Sequence, residues 1–184
     1  MKMLIRAMDG YRRSARSHPA LFVCINLILV ISWTGLIMRF SGENAEVSGG
    51  RSARILVTLV RAIAPSSGVT LDNYETVLVL DNCEKVLRKL AHMTEYGILA
   101  ALVWSALYGI KKLSRRIRSL IPPLFVGLTG SIDEINQTRV DGRYGSWFDV
   151  CVDVVGALIA LIVIYRLIRL YDRWKSVTNS RPGA

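Results

Sequence analysis

Hydrophobic residues are concentrated in four long stretches of the chain, and this pattern predicts membrane-spanning helices. The clearest stretch, from Ala20 to Met38, contains no charged residue and is about as long as an α-helix must be to cross roughly 30 Å of hydrocarbon. The other three stretches carry polar residues that crowd one end. The four predicted spans cover residues 20–38, 91–110, 120–137 and 148–167. The sequence therefore predicts an all-α membrane protein with four transmembrane helices in a single domain, residues 1–184.

Apolar residues also follow a regular spacing in part of the sequence outside the spans. Between the first two spans lies an outer segment, residues 39–90, in which apolar residues recur at helical spacing from Ser52 to Ala64. This spacing predicts a short amphipathic helix on the outer leaflet. Residues 71–90 favour a second helix that runs into the second span, and residues 176–184 are predicted to be a disordered tail.

The distribution of basic residues predicts the orientation. Of the 24 Lys and Arg residues, five precede the first span, five lie between the second and third spans, and five lie at the end of the last span or after it. The positive-inside rule then places both termini and the middle loop in the cytoplasm. This topology accounts for the formal net charge of +10. No nucleic-acid partner is predicted, because no aromatic-basic platform or groove-reading motif accompanies the charge.

Ionisable residues occur inside the last three predicted spans. They are His92 and Glu95, Asp133 and Glu134, and Asp149 and Asp153. A charge in hydrocarbon costs at least a few kcal/mol, so such residues are functional candidates. At a rise of 1.5 Å per residue, Glu95, Glu134 and Asp153 stand about 22, 21 and 20 Å above the inner ends of their helices. The three sets are therefore predicted to share one layer near the outer surface.

Helical spacing supports a shared site in this layer. His92, Glu95 and Tyr96 fall on one helix face, as do Asp149 and Asp153. Small residues in the same spans favour close helix packing: Gly97, Ala100, Ala101, Gly127, Gly130, Gly156, Ala157 and Ala160. In the loop 139–146, Arg143 is predicted to fold over the acidic layer as a partner or an anion receptor.

Four motifs in order resemble the VanZ-like family of bacterial membrane proteins. They read Arg88-Lys89-x-x-His92-x-x-Glu95-Tyr96, Asp133-Glu134-x-x-Gln137, Gly142-Arg143 and Asp149-x-x-x-Asp153-x-x-Gly156. The similarity covers Lys85 to about Ile164, with Asn136 standing where many members have His and Val140-Asp141 replacing the usual Pro before Gly142-Arg143. The resemblance implies a multi-pass protein of the bacterial plasma membrane whose polar pocket faces outside. It also implies reduced susceptibility to teicoplanin and related glycopeptides, but no particular reaction.

Three functions and one structural alternative stay open at this point. The first is a pocket that recognises membrane lipids, lipid-linked wall precursors or an envelope protein, with ligand-binding candidates Arg88, Lys89, His92, Glu95, Tyr96, Gln137, Arg143 and Ser146. The second is an enzyme on a lipid headgroup, with catalytic candidates His92, Glu95, Asp133, Glu134, Asp149 and Asp153. Its Mg²⁺ or Mn²⁺ would be held by Glu134, Asp149 and Asp153. The third is a proton-coupled carrier that uses the carboxylates as a relay.

The structural alternative is a paired polar cluster that only fixes helix register. In it, the basic residues Arg88, Lys89 and Arg143 pair with the acidic residues Glu95, Glu134 and Asp149. The oligomeric state is left open by the sequence.

Overall fold

A computed structural model describes residues 2–42, 54, 55, 58, 62, 74–140 and 144–179. Regular secondary structure in these residues is entirely helical, as the sequence predicts. The described helices are α1 (Lys2–Ser17), α2 (Pro19–Ser41), α3 (Tyr74–Tyr108), α4 (Arg115–Gln137) and α5 (Trp147–Asn179).

Three of these helices have stretches that are long and apolar enough to cross a membrane. The stretches are Pro19–Ser41 in α2, Asn82–Tyr108 in α3 and Trp147–Thr178 in α5. The predicted third span, residues 120–137, lies in α4, which is 23 residues long but does not reach the same hydropathy. Two prolines and the acidic and amide residues of its last turns dilute its apolar side chains. Length and composition thus support three of the four predicted spans.

Several helix boundaries differ from the predicted ones. The helix predicted over residues 71–90 runs into the second span as expected, because α3 is one continuous helix from Tyr74 to Tyr108, although its described part begins at Tyr74. α5 continues to Asn179, so residues 176–179 are helical instead of belonging to a disordered tail. The tail residues 180–184 lie outside the described residues. Of the predicted helix Ser52–Ala64, only residues 54, 55, 58 and 62 are described, and they are helical and exposed.

The sequence did not predict helix α1, which packs against the rest of the bundle. Met8, Tyr11 and Ala15 lie at helical spacing on one of its faces, and Ala15 is buried. The Tyr11 ring contacts the Phe22 ring of α2 edge to face, with centroids 5.2 Å apart. Its hydroxyl donates a hydrogen bond of 3.0 Å to Ser105 of α3. α1 is therefore joined to both helices through one aromatic residue.

The two ends of the bundle are distinguished by their contacts. At one end, Arg12 of α1 forms an ion pair of 2.8 Å with Asp172 near the end of α5. At this same end, Arg118 in the first turn of α4 donates hydrogen bonds to three carbonyl oxygens at the end of α3 and just beyond it. At the opposite end, Gln137 in the last turn of α4 bonds Ser41 at the end of α2. α4 therefore runs from one end of the bundle to the other.

Small residues bring α3 and α5 into direct backbone contact, as the sequence predicts. A Cβ atom added at Gly156 would lie 2.2 Å from the carbonyl oxygen of Met93, and one added at Gly97 would lie 3.2 Å from the carbonyl oxygen of Gly156. The buried core next to this contact includes Tyr96, Leu99 and Val126. Because the helices touch here, side chains one turn further out face each other across a narrow space.

Candidate functional site

A cavity of about 250 Å³ lies between α3, α4 and α5 at the end of the bundle opposite α1. Seven of the predicted site residues line it. α3 contributes Arg88, Lys89 and His92, α4 contributes Glu134 and Gln137, and α5 contributes Asp149 and Asp153. The structure thus brings residues from all three predicted polar spans to one place. Their parts in binding or catalysis stay predictions.

The remaining acidic residues lie close to the same cavity. Asp153 is within electrostatic range of Glu95 and Asp133 as well as Glu134 and Asp149. Tyr96 is buried within range of Asp133 and Asp153. The five carboxylates therefore share one layer of the bundle, and each of them experiences the charge of its neighbours.

One ion pair closes part of the cavity mouth. Lys89 Nζ lies 2.5 Å from Asp149 Oδ1, and it also lies 4.5 Å from the centre of the Phe148 ring. This pair is one of those expected for a structural cluster. Arg88, in contrast, bonds Glu84 of its own helix at 2.7 Å rather than a carboxylate of α4 or α5. Both pairs are partly exposed, so each contributes little to stability.

Glu134 holds the first turn of α5. Its Oε2 accepts a hydrogen bond of 2.6 Å from the backbone N–H of Ser146, the residue before α5 begins. The first N–H groups of a helix lack partners within the helix and carry a partial positive charge, so a carboxylate is favourable there. Gly145 makes room for this contact, since a Cβ at this position would lie 2.7 Å from the carbonyl oxygen of Glu134. Ser146 thus acts through its backbone at this contact.

Gln137 connects the acidic layer to the first span. Its Nε2 donates to Asp133 Oδ2 at 3.0 Å and to Ser41 Oγ at 2.8 Å. A separate hydrogen bond joins α2 to α3 near the acidic layer. The Nε1 of Trp33 in α2 donates to the backbone oxygen of Glu95 in α3 at 2.9 Å. The sequence did not predict Ser41 or Trp33 as site residues. The signal that could have found Ser41 is its position at the outer end of the first span.

Four polar atoms around the cavity are buried without a hydrogen-bond partner among the described residues. They are Arg88 Nε, Tyr96 Oη, Asp133 Oδ1 and Asp153 Oδ1. The Asp133 and Asp153 residues are only 1% and 3% exposed. A buried polar atom without a partner costs about 1–3 kcal/mol. These atoms are therefore the places where a bound molecule or water would restore hydrogen bonds.

A family model described as VanZ/LLP1 matches residues 26–169, the bulk of the chain. The chain belongs to the VanZ-like family. The matched region contains every predicted site residue and all residues that line the cavity. No curated protein and no solved structure matches the chain.

The cavity of this VanZ-like protein includes residues that the sequence did not single out. Lys85, Tyr144 and Val152 line it together with the predicted residues. Lys85 is an exposed residue of α3. Its spacing from Arg88 and His92, three and seven residues, places all three on one helix face and could have identified it. Arg143 lies outside the described residues, so its position over the acidic layer stays a prediction.

The predicted metal ligands of the VanZ-like protein are not assembled into a metal site. The described residues contain no group of three or more His, Cys, Asp or Glu side chains that could hold a metal ion. Two of the candidates have other partners, since Asp149 bonds Lys89 and Glu134 bonds the Ser146 N–H. A Mg²⁺ or Mn²⁺ site at Glu134, Asp149 and Asp153 therefore stays a prediction from the sequence.

Proposed function

We propose that this VanZ-like protein binds the polar head group of a membrane lipid, or of a lipid-linked wall precursor, at the outer face of the bacterial plasma membrane. The proposal depends on the mixed charge of the cavity between α3, α4 and α5. Basic side chains of α3 line one wall, and Glu134, Asp149 and Asp153 line the other. Head groups of lipids present both charged and hydrogen-bonding atoms, so a cavity of mixed charge suits them.

Structural pairing accounts for only part of this cavity. Lys89 neutralises Asp149, and Glu134 accepts a hydrogen bond at the start of α5. Among the described residues Asp153 has no such partner, although it is only 3% exposed. A buried carboxylate without a partner is costly, and helix register needs only paired groups. Asp153 is therefore the residue that best supports ligand binding over a structural cluster.

We extend the proposal to four spans, with α4 as the third. α4 and the apolar helix α2 are both 23 residues long. Arg118 joins the beginning of α4 to the end of α3, and Gln137 joins its last turn to the end of α2. A helix that runs the full length of the bundle would cross the same thickness of membrane. Since the basic clusters favour the cytoplasmic side for the α1 end, the cavity would open outside.

The family resemblance supplies the expected phenotype. VanZ-like proteins are named after a teicoplanin-resistance protein, and we propose that occupancy of the cavity lowers susceptibility to teicoplanin and related glycopeptides. These antibiotics act at the outer face of the membrane, where the cavity would open. The metal-dependent enzyme lacks a comparable supporting observation, since the described residues contain no group of three or more His, Cys, Asp or Glu side chains that could hold a metal ion.

The test is expression in a Gram-positive host, with inhibitory concentrations of teicoplanin and vancomycin measured at matched membrane abundance. The wild-type protein should lower susceptibility to teicoplanin more than to vancomycin. Asp153→Asn removes one charge from the cavity and should weaken binding by roughly 10- to 150-fold, which stronger expression would partly offset. Asp172→Asn makes the same chemical change on an exposed residue at the other end of the bundle and should keep the phenotype.

Three results would contradict the proposal. Full resistance of Asp153→Asn at normal abundance would show that the cavity does not contribute to the phenotype. Equal shifts for teicoplanin and vancomycin would contradict the inference from the family. Complete loss of resistance in Asp153→Asn that stronger expression does not restore would favour an enzyme, because loss of a catalytic group lowers the rate by orders of magnitude.

A further inference from the structure

We infer that the head group bound in this cavity is a phosphate ester that carries a protonated primary amine, with the phosphate against Arg88 and the ammonium group against Asp153. The inference rests on the proposed function, because it names the chemical class of the head group. It follows from two unpartnered groups of opposite character that line one cavity. One is a hydrogen-bond donor on a guanidinium group, and the other is an oxygen of a buried carboxyl group.

The basic wall of the cavity suits a phosphate. Arg88 donates from one terminal nitrogen to Glu84, while its Nε is buried without a partner among the described residues. Lys89 and His92 lie one and four residues further along the same helix and line the same cavity. A guanidinium group binds phosphate through its N–H donors, and the Nε–H of Arg88 is one donor left for this contact. The nearby Lys89 ammonium and His92 imidazole groups add further N–H donors.

The acidic end of the cavity suits a cation with N–H groups. Asp153 lies four residues after Asp149 on α5, about 6 Å deeper than the Lys89–Asp149 pair. Its Oδ1 has no partner in the part of the chain that the structure describes, and the carboxyl groups of Glu95, Asp133 and Glu134 lie within electrostatic range of it. A primary ammonium group brings three N–H donors and a positive charge, whereas a hydroxyl group brings one donor and no charge. A quaternary ammonium group brings charge but no N–H, so it would leave Oδ1 without a hydrogen bond.

The dimensions of the cavity fit this class. About 250 Å³ holds a head group but not a whole lipid. A phosphate and an amine on adjacent carbon atoms span a distance comparable to one helical turn, the separation between the Lys89–Asp149 pair and Asp153. Beside the mouth, Trp147 and Phe148 are exposed and Phe148 lies under Lys89. Aromatic side chains at this level favour the membrane interface, where the acyl chains of the lipid would begin.

Two sources share this chemistry, namely an aminated phospholipid and a lipid-linked amino sugar phosphate. The test uses the purified full chain in detergent, with phosphatidylethanolamine, phosphatidylcholine or phosphatidylglycerol added in mixed micelles. Binding is measured by native mass spectrometry and by thermal stabilisation. Phosphatidylethanolamine should bind at least about tenfold more tightly than the other two lipids, because only its head group has both a positive charge and N–H donors. Competition by soluble phosphoethanolamine or by glucosamine 1-phosphate then identifies the source, and the stronger competitor resembles the natural head group.

Three variants assign the two ends of the head group. Asp153→Asn should reduce the affinity for phosphatidylethanolamine to that for phosphatidylcholine. Arg88→Gln should weaken binding of all three lipids by a similar factor, because each of them has a phosphate. Asp172→Asn, at the other end of the bundle, should leave all three affinities unchanged.

The outcomes separate this inference from the proposed function. Equal binding of the three lipids, together with weaker binding of all three to Arg88→Gln, would overturn the inference that the head group carries an amine. The proposal that the cavity binds a head group would remain. An Arg88→Gln protein that binds all three lipids like the wild type would overturn both. The ranking of the lipids on the wild-type protein decides the inference even if Asp153→Asn does not fold.

Discussion

Substitution of Gly156 by alanine tests whether the contact of α3 with α5 builds the cavity. A Cβ at Gly156 would lie 2.2 Å from the carbonyl oxygen of Met93 and 2.9 Å from its carbonyl carbon. Both atoms belong to the backbone, so no rotation of a side chain relieves the clash. The two helices would have to move apart to accept the methyl group.

The size of the effect follows from this geometry. The Cβ to oxygen distance must grow from 2.2 Å to at least 3.0 Å, an opening of about 0.8 Å between the helices. Overpacking of this kind costs about 1–3 kcal/mol. Alanine recovers about 1 kcal/mol through its higher helix propensity. The net loss in the free energy of unfolding is therefore expected to reach about 2 kcal/mol.

The assay compares two alanine substitutions in purified protein by thermal and denaturant unfolding in detergent. Gly127→Ala is the matched control, because a Cβ at Gly127 would lie 3.6 Å from Val154 Cγ2, an ordinary contact. This variant should be as stable as the wild type or up to about 1 kcal/mol more stable. Gly156→Ala should also bind head groups more weakly. Asp153 lies one turn from Gly156 on α5, so a displacement of α5 at Gly156 would move Asp153 away from α3.

The reasoning would be refuted if Gly156→Ala and Gly127→Ala changed the stability by the same amount. Unchanged stability of Gly156→Ala would show that the backbones of α3 and α5 do not meet at this position. Loss of stability with unchanged head-group binding would show that the contact supports the bundle but not the cavity.

Three further predictions concern topology, the acidic layer and the α1 end. In a background without native cysteines, Tyr144→Cys should react with an impermeant maleimide in intact cells, and Lys112→Cys should react only after permeabilisation. Labelling of both cysteines from outside would exclude α4 as a span. Gln137→Leu leaves Asp133 Oδ2 without its donor and should lower the free energy of unfolding by about 1–3 kcal/mol, so unchanged stability would contradict the described hydrogen bonds. A hydrogen bond from Lys175 holds the pKa of Asp9 below its ordinary value of 3.8, so their contact should stabilise the docking of α1 above that pH and lose its effect as the pH falls further. A nitroxide on α1 should therefore become slightly more mobile in strong acid, and Asp9→Asn should show the same small increase already at neutral pH.

The sequence by itself determined the helices α2 to α5 and the heights of the polar residues along them. Backbone groups in hydrocarbon must bond within their own segment, so an uninterrupted apolar stretch such as Ala20 to Met38 forms a helix whatever surrounds it. Depth then follows from the rise of 1.5 Å per residue, which is why Glu134 and Asp153 could be assigned to one layer before their helices were packed. The family could also be predicted, because its motifs are local and ordered along the chain.

Only the tertiary structure decided which partner each polar group meets. Arg88 bonds Glu84 instead of an acid on another helix, and Glu134 holds the beginning of α5. Lys85 faces the cavity rather than solvent alone, and Tyr11 docks a helix that the sequence did not predict. Helical spacing gives the face on which a residue lies, but the rotation of each helix against its neighbours depends on close contacts such as that at Gly156. These contacts form between residues distant in the chain, so no local pattern records them.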